Sequence, residues 1–180
     1  MTNLFEGQRV RLTPLNSEDA AVIAEWHLDS RYLRLLDAAI AFPKNEAQVV
    51  RWIQSGQQEK DNFLFGIRTM SSNLLIGFIE INGILWPHGT GWIAIGIGEP
   101  EYRGQGYGYE AMSMALNYAF HELNLHRMQL TVFSYNTSAI ALYEKLGFQR
   151  EGVHREFLLR DGQRHDMILY GLLSREWEGE

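Results

Sequence analysis

The chain contains no cysteine. That removes disulfides, thiolate metal sites and a cysteine nucleophile together, and it fits a reducing compartment. It also lacks any cluster of lysine and arginine, and its 16 basic residues against 22 acidic ones leave a net charge of −6. Nucleic-acid binding depends on such clusters to neutralise phosphates, so no nucleic-acid partner is expected. Charges such as Asp37 interrupt every apolar stretch, so no membrane span and no membrane partner are expected. The opening MTNLFEGQRVRL has neither the basic start nor the apolar core of a signal peptide, and the expectation is a cytoplasmic protein. The six histidines show no H-x-x-x-H spacing, so no metal site is expected. Internal repeats and low-complexity tracts are absent too. What remains is an ordinary soluble composition whose 180 residues, 46% of them apolar, suit a single domain over 1–180 with a real core. The negative charge tilts slightly toward a cationic substrate.

Periodicity supplies the elements. Residues 8–13 alternate as a strand, and NSEDAAVIAEWHLD opens on helix-capping residues and continues with helical spacing. A second helix starts at Pro43 and carries Val49, Val50, Trp52 and Ile53. The period then changes: FLFGIRT and LLIGFIEING read as strands joined by the turn MSSN, and GWIAIGI as a strand apolar on both faces. Ala111, Met112, Ala115, Ala119 and Leu123 mark a helix, HRMQLTVFS a strand, and NTSAIALYEKLG a helix with Asn136 near its N-cap and Gly147 as its stop. Two more strands close on an Asp161-Gly162 turn. The predicted order is β-α-α-β-β-β-α-β-α-β-β. It describes an α/β fold: a mixed sheet of about seven strands, parallel around 92–134, flanked by about four helices.

Between one of these strands and a helix lies EPEYRGQGYGYEAM, with Gly104, Gly106 and Gly108 at alternate positions behind Arg103. Glycine is a poor residue with which to begin a helix. It does let a backbone approach an anion closely, and the first N–H groups of a helix lack partners and point outward with the positive end of the dipole. Two familiar phosphate loops do not fit. The mononucleotide loop needs Gly-Lys-Ser/Thr at its end, and the dinucleotide fingerprint G-x-G-x-x-G would need its third glycine one residue later.

A third pattern, R/Q-x-x-G-x-G/A, is met by Arg103 to Gly108. This loop resembles the pyrophosphate-binding loop of the GNAT superfamily of acyl-CoA-dependent N-acyltransferases. Downstream, NTSAIALYEKLGF is similar to the family's N-x-x-A-x-x-x-Y-x-x-x-G-F segment through Asn136, Ala139, Tyr143, Gly147 and Phe148. The closing REGVHREFLLRDGQRHDMILYGLLSREW resembles the branch holding ribosomal-protein N-terminal and spermidine or diamine acetyltransferases. The specific motifs fall between about 95 and 170, while the likeness in element order covers the whole chain.

The resemblance implies the GNAT fold with its centrally splayed sheet, acetyl-CoA as co-substrate and transfer of the acetyl group to a primary amine. A small polyamine, an antibiotic, an amino-acid-like amine and a protein N-terminus all stay open as acceptors. It implies a cofactor site made by Ile97 and Gly98 at the strand end, by Arg103, Gly104, Gln105, Gly106, Tyr107 and Gly108 in the loop, and by Asn136 and Ala139. It also implies that backbone N–H groups from about Gly96 to Glu99 polarise the thioester, with Gly98 marking where the strand splays. Tyr143 takes the place of the family's acid. By spacing alone it belongs to the apolar stripe Ala139, Leu142, Tyr143 and Leu146, but a phenol of pKa ~10 can donate to a departing thiolate. Many relatives carry an acidic residue on the strand before the loop, and GWIAIGI has none. Glu80 is therefore the candidate base, with Glu99 or a water relay as alternatives. Trp26, Tyr32, Asp37, Trp86 and His88 are candidate walls of the acceptor pocket. Tyrosines and tryptophans buried on an exposed strand would also support a homodimer. The competing function is a non-catalytic acyl-CoA sensor of the same fold.

Overall fold

The computed structural model describes residues 3–179. The chain runs β1 (Val10–Thr13), α1 (Ala20–Trp26), α2 (Ser30–Leu36), α3 (Glu46–Gln58), β2 (Phe63–Thr69), β3 (Leu75–Leu85), β4 (Thr90–Ile97), α4 (Tyr107–Asn117), β5 (Arg127–Phe133), α5 (Thr137–Lys145), β6 (Gln149–Arg160) and β7 (Gln163–Leu173). The expected order holds with one addition. The second helix, α2, follows α1 after a three-residue break, so five helices flank the sheet rather than four.

The strands form one sheet in the order β1-β2-β3-β4-β5-β7-β6, antiparallel except at β4–β5. Strand alternation sends side chains into two cores. Ile67, Ile79 and Ile81 face a cluster built with Ala111, Met112, Ala115 and Leu116 of α4 and Tyr143 of α5. Leu64 and Phe78 face a second cluster with Ile23 and Trp26 of α1, Tyr32 and Leu33 of α2, and Val49 and Ile53 of α3. The helix ends are chemically marked. Asn45 Oδ1 accepts from Gln48 N–H at 2.9 Å while Gln48 Oε1 accepts from Asn45 N–H at 3.0 Å, a reciprocal cap on α3. Asp29 caps α2 by accepting from Arg31 N–H at 3.0 Å.

Strands β4 and β5 are joined for three residues only: Thr90 opposite Arg127, Gly91 opposite Met128 and Trp92 opposite Gln129. Beyond that point β3 holds β4 as far as Ile97 and β7 holds β5 as far as Phe133. The two strands part and leave a V-shaped gap between the halves of the sheet. The expectation that the chain splays at Gly98 needs correcting, because the parting begins five residues earlier, after Trp92. Gly98 has another reason to lack a side chain: a Cβ there would overlap the Trp26 ring. That ring is buried, and its Nε1 donates to Glu99 Oε1 at 2.9 Å.

This contact predicts that Gly98→Ala costs about 1–3 kcal/mol through overpacking against Trp26. The measurement is the shift in urea midpoint at unchanged slope. A loss under about 0.5 kcal/mol would show that Trp26 can swing aside.

Candidate functional site

A cleft of about 580 Å³ occupies the gap between β4 and β5. One wall is Ile93 to Ile97, the other Thr131 to Phe133, and the glycine loop closes one end. Helix α2 reaches it with Tyr32, Leu36 and Asp37 from one face of the sheet, and α5 with Ala139, Leu142, Tyr143 and Lys145 from the other.

The edge of β4 decides what the gap can bind. Gly98 N–H donates to the Ile76 carbonyl at 2.9 Å and Glu99 N–H to the same oxygen at 3.2 Å. In an antiparallel pair the bonding direction alternates with each residue. With the β3–β4 register unbroken from Gly77 to Asn82, Gly96 and Ala94 also turn their N–H groups to β3, and Ile97 and Ile95 turn theirs to the gap. Of the backbone donors expected between Gly96 and Glu99, the geometry therefore leaves Ile97 to face a ligand. Gly96, Gly98 and Glu99 already serve the sheet.

Helix α4 opens on Gly106 in the left-handed conformation, φ 86°, with no side-chain cap on the helix. The loop presents its backbone, and a Cβ added at Gly104 would meet nothing within 4 Å. Behind it stands a brace that no local motif announces. Glu110 Oε1 accepts from Arg9 N–H at 2.8 Å and Val10 N–H at 3.3 Å, and Glu110 Oε2 pairs with Arg9 Nε at 3.2 Å. Arg9 Nη1 in turn donates to the Gln105 carbonyl at 3.0 Å, and its guanidinium lies 4.6 Å from the centre of the Tyr107 ring. Arg9 and Glu110 are 101 positions apart in sequence, and the alternation over residues 8–13 gives no sign of this pairing.

The proposed cofactor residues divide in two. Ile97, Arg103, Gly104, Gly106, Gly108, Asn136 and Ala139 line the cleft; Gly98, Gln105 and Tyr107 do not. Gln105 turns its amide nitrogen back to the Glu101 carbonyl. Tyr107 packs edge-on against Tyr102, ring centres 5.1 Å apart. Arg103 borders the cleft but holds the strand end: Nε donates to the Ile97 carbonyl at 2.9 Å and Nη2 to the Gly98 carbonyl at 2.6 Å. Asn136 is first an N-cap, accepting from Ala139 N–H at 3.3 Å.

Tyr143 is 7% exposed and borders the cleft. Burial pushes its phenol up to about 12, so it stays protonated at any ordinary working pH. Glu80 stands elsewhere. It lies opposite Ala94 on β3, its Oε1 accepts from Asn62 Nδ2 at 2.7 Å, and it does not line the cleft. Glu99 is engaged by Trp26. Of the candidate acceptor walls, Tyr32 and Asp37 border the cleft, while Trp26, Trp86 and His88 do not. Trp86 instead donates to Asp61 at 2.5 Å. The β6–β7 hairpin closes over this side: Arg160 Nη2 donates to the carbonyls of Asp37, Ala38 and Ala39 at 3.1 to 3.2 Å, and Arg34 pairs with Asp161 at 2.7 Å. Among the described residues no group of three or more His, Asp or Glu could hold a metal ion.

The buried phenol has a measurable consequence. Its pKa is higher folded than unfolded, so the neutral form stabilises the fold fully below pH ~10, and that contribution is lost as pH rises through 12. Relative to Tyr143→Phe, the wild type should lose about 1.4 kcal/mol by pH 11. Urea titrations of both proteins from pH 8 to 11 test this, and parallel curves would mean that the hydroxyl is solvated.

A model of the acetyltransferase (GNAT) domain matches residues 9–149. A prophage-derived uncharacterized N-acetyltransferase of Bacillus subtilis strain 168 is 34% identical over 174 residues, 97% of this chain and 95% of that one. The ribosomal protein uS5 alanine N-acetyltransferase of Escherichia coli strain K12 is 23% identical, covering 94% and 93%. Spermidine N-acetyltransferase from Vibrio cholerae, solved with CoA and spermine, superposes with a TM-score of 0.83 at 24% identity, covering 93% and 96%. The parted sheet, the glycine loop and these likenesses agree: the chain belongs to the GNAT family and is an N-acetyltransferase.

Proposed function

We propose that the protein transfers the acetyl group of acetyl-CoA to a primary amine by direct attack on the thioester. The observation that carries this reading is a single cleft running from the uncapped, glycine-opened start of α4 to the buried phenol of Tyr143, with the outward-facing Ile97 N–H between them. The loop backbone and the α4 dipole suit a pyrophosphate. The gap between β4 and β5 suits an extended pantetheine arm, which can bond to strand edges as a third strand would. Acetyl-CoA supplies an activated carbonyl and a thiolate leaving group.

In this scheme Ile97 N–H donates to the thioester oxygen where negative charge develops. The amine nitrogen forms its bond to the carbonyl carbon, the C–S bond breaks, and Tyr143 donates to the departing sulfur. A protonated amine gives up two protons in all. One, lost before attack, passes through water to Glu80, whose place opposite Ala94 puts it one strand from the cleft. The other, lost as the amide forms, replaces through water the proton that Tyr143 gives to the sulfur. A carboxylate at that distance suits a relay rather than direct contact. On the acceptor side, Asp37 is the one carboxylate that lines the cleft among the described residues, which supports an amine that is protonated before reaction. Relatives named for a substrate include a spermidine N-acetyltransferase and a ribosomal-protein alanine N-acetyltransferase, so both a small polyamine and a protein N-terminus belong in the test.

Three measurements follow. With acetyl-CoA and a panel of spermidine, aminoglycosides, amino acids and alanine-initiated peptides, thiol release should be saturable with at least one amine; CoA binding without turnover of any would favour an acyl-CoA sensor. Tyr143→Phe should lower kcat about 100-fold with little change in acetyl-CoA affinity, and equal losses in both would make Tyr143 structural. Gly106→Val forces a β-branched residue to a φ of 86° and against Arg9 Nη2, 2.9 Å from the new Cβ. It should abolish CoA binding by calorimetry while the chain stays folded, and unchanged binding would refute the loop assignment.

A further inference from the structure

Tyr32 lines the cleft where its hydroxyl approaches the backbone of β4 at Gly96. Its side chain is 5% exposed, and its hydroxyl is buried with no hydrogen-bond partner among the described residues. A native fold seldom leaves such a group unpaired, since the lost hydration costs about 1–3 kcal/mol. The oxygen is also aimed with care. It lies 2.6 Å from the point a Cβ on Gly96 would occupy, so the bare backbone of β4 makes room for it one residue before Ile97. The ring is fixed from behind by the Arg103 guanidinium, 5.0 Å from its centre, and that guanidinium is itself bonded to the Ile97 and Gly98 carbonyls. Tyr32 belongs to the core cluster on the α1–α3 face and Tyr143 to the cluster on the α4–α5 face, while both line the cleft.

We infer that the Tyr32 hydroxyl is the docking point for the attacking amine. The inference rests on the acetyl-transfer reading above and adds a residue to it. With Tyr143 at the sulfur on one face and Ile97 N–H at the carbonyl oxygen in the plane of the gap, the open approach to the carbonyl carbon is from the other face, where Tyr32 stands beside Asp37. The phenol oxygen accepts an N–H of the amine and so turns the nitrogen lone pair toward the carbonyl carbon. The bound substrate completes the hydrogen bonding that the protein alone leaves unmet. Burial raises the phenol's pKa, which suits a group that holds a nucleophile without taking its proton.

Tyr32→Phe keeps the ring, its place over Gly96 and its contact with Arg103, and removes only the oxygen. Wild type and variant are compared by thiol release with the amine panel above, by calorimetric binding of acetyl-CoA, and by thermal melting. For the best wild-type acceptor, kcat/KM for the amine should fall at least tenfold, with acetyl-CoA affinity within twofold and the melting temperature kept or raised. An active wild type with a variant within twofold of it in kcat/KM would overturn the role of Tyr32 alone. An equal loss of acetyl-CoA affinity would overturn it too, by making the residue part of the cofactor wall. A wild type inert toward the whole panel would overturn the acetyl-transfer reading on which the inference rests, whatever the variant does.

Discussion

The structure depends on a parallel strand pair that is not allowed to continue. Strands β4 and β5 pair at Thr90 to Trp92 and then separate, although each stays bonded to its outer neighbour for its full length. Interrupting a ladder leaves edge N–H and C=O groups without partners, a cost of about 1–3 kcal/mol for each one buried. The Ile97 carbonyl is answered by Arg103. Its N–H is not answered from within the sheet, and that asymmetry leaves a backbone donor facing the cleft, the one we propose for the thioester carbonyl. An uninterrupted sheet would be more stable and would have no site.

Holding the gap open takes support from distant parts of the chain. Arg9, just before β1, and Glu110 on α4 lock the back of the glycine loop. Trp26 packs against Gly98, and Arg103 ties the loop to the end of β4. The far wall is secured by α2, whose last turn is reached by the Tyr135 hydroxyl, bonded to the Arg34 carbonyl at 2.5 Å, and by the Arg34–Asp161 pair. None of these groups needs to touch a substrate. Their work is to keep a backbone N–H, a phenol and a helix N-terminus at fixed separation, so that little reorganisation remains for the moment of reaction.

This division explains which features could be read in the sequence. Periodicity of 2 or 3.6 is a local property, so the alternation in β2 and β3 and the stripe on α4 declared themselves. The glycine loop was legible because its chemistry is done by backbone, and only glycine spacing can advertise that. Helix α2 was not legible. Seven residues make a marginal helix on their own, and this one is held by Tyr135, Asp161 and Arg103, each more than sixty positions away. The cap at Asp29 and the basic residue in the last turn, Arg34, were the available signals. The Arg9–Glu110 brace and the Trp26–Gly98 contact had none, because no single window of sequence contains both partners. Glu80 is the opposite case: its residue type suited a base, but strand register set it opposite Ala94 with Asn62 as its partner, outside the cleft wall.

The two buried tyrosines carry different tasks in the reading we propose, although their chemistry is the same. Burial raises both phenols, so neither can be a base near neutrality. What separates them is the face of the sheet from which each approaches. Tyr143 rises from α5 through the core shared with α4, on the side where the motif spacing from Asn136 places it. Tyr32 descends from α2 through the other core, onto the glycine that precedes Ile97. In the proposed transfer the amine adds to one face of the planar thioester carbonyl, and the sulfur then leaves from a tetrahedral intermediate. A sheet parted down its middle, with one protonated phenol on each face, keeps the two contacts we propose for amine and sulfur apart by topology. Asp37, which lines the cleft with Tyr32, agrees with the orientation we propose, the amine on that face and the thiolate on the other.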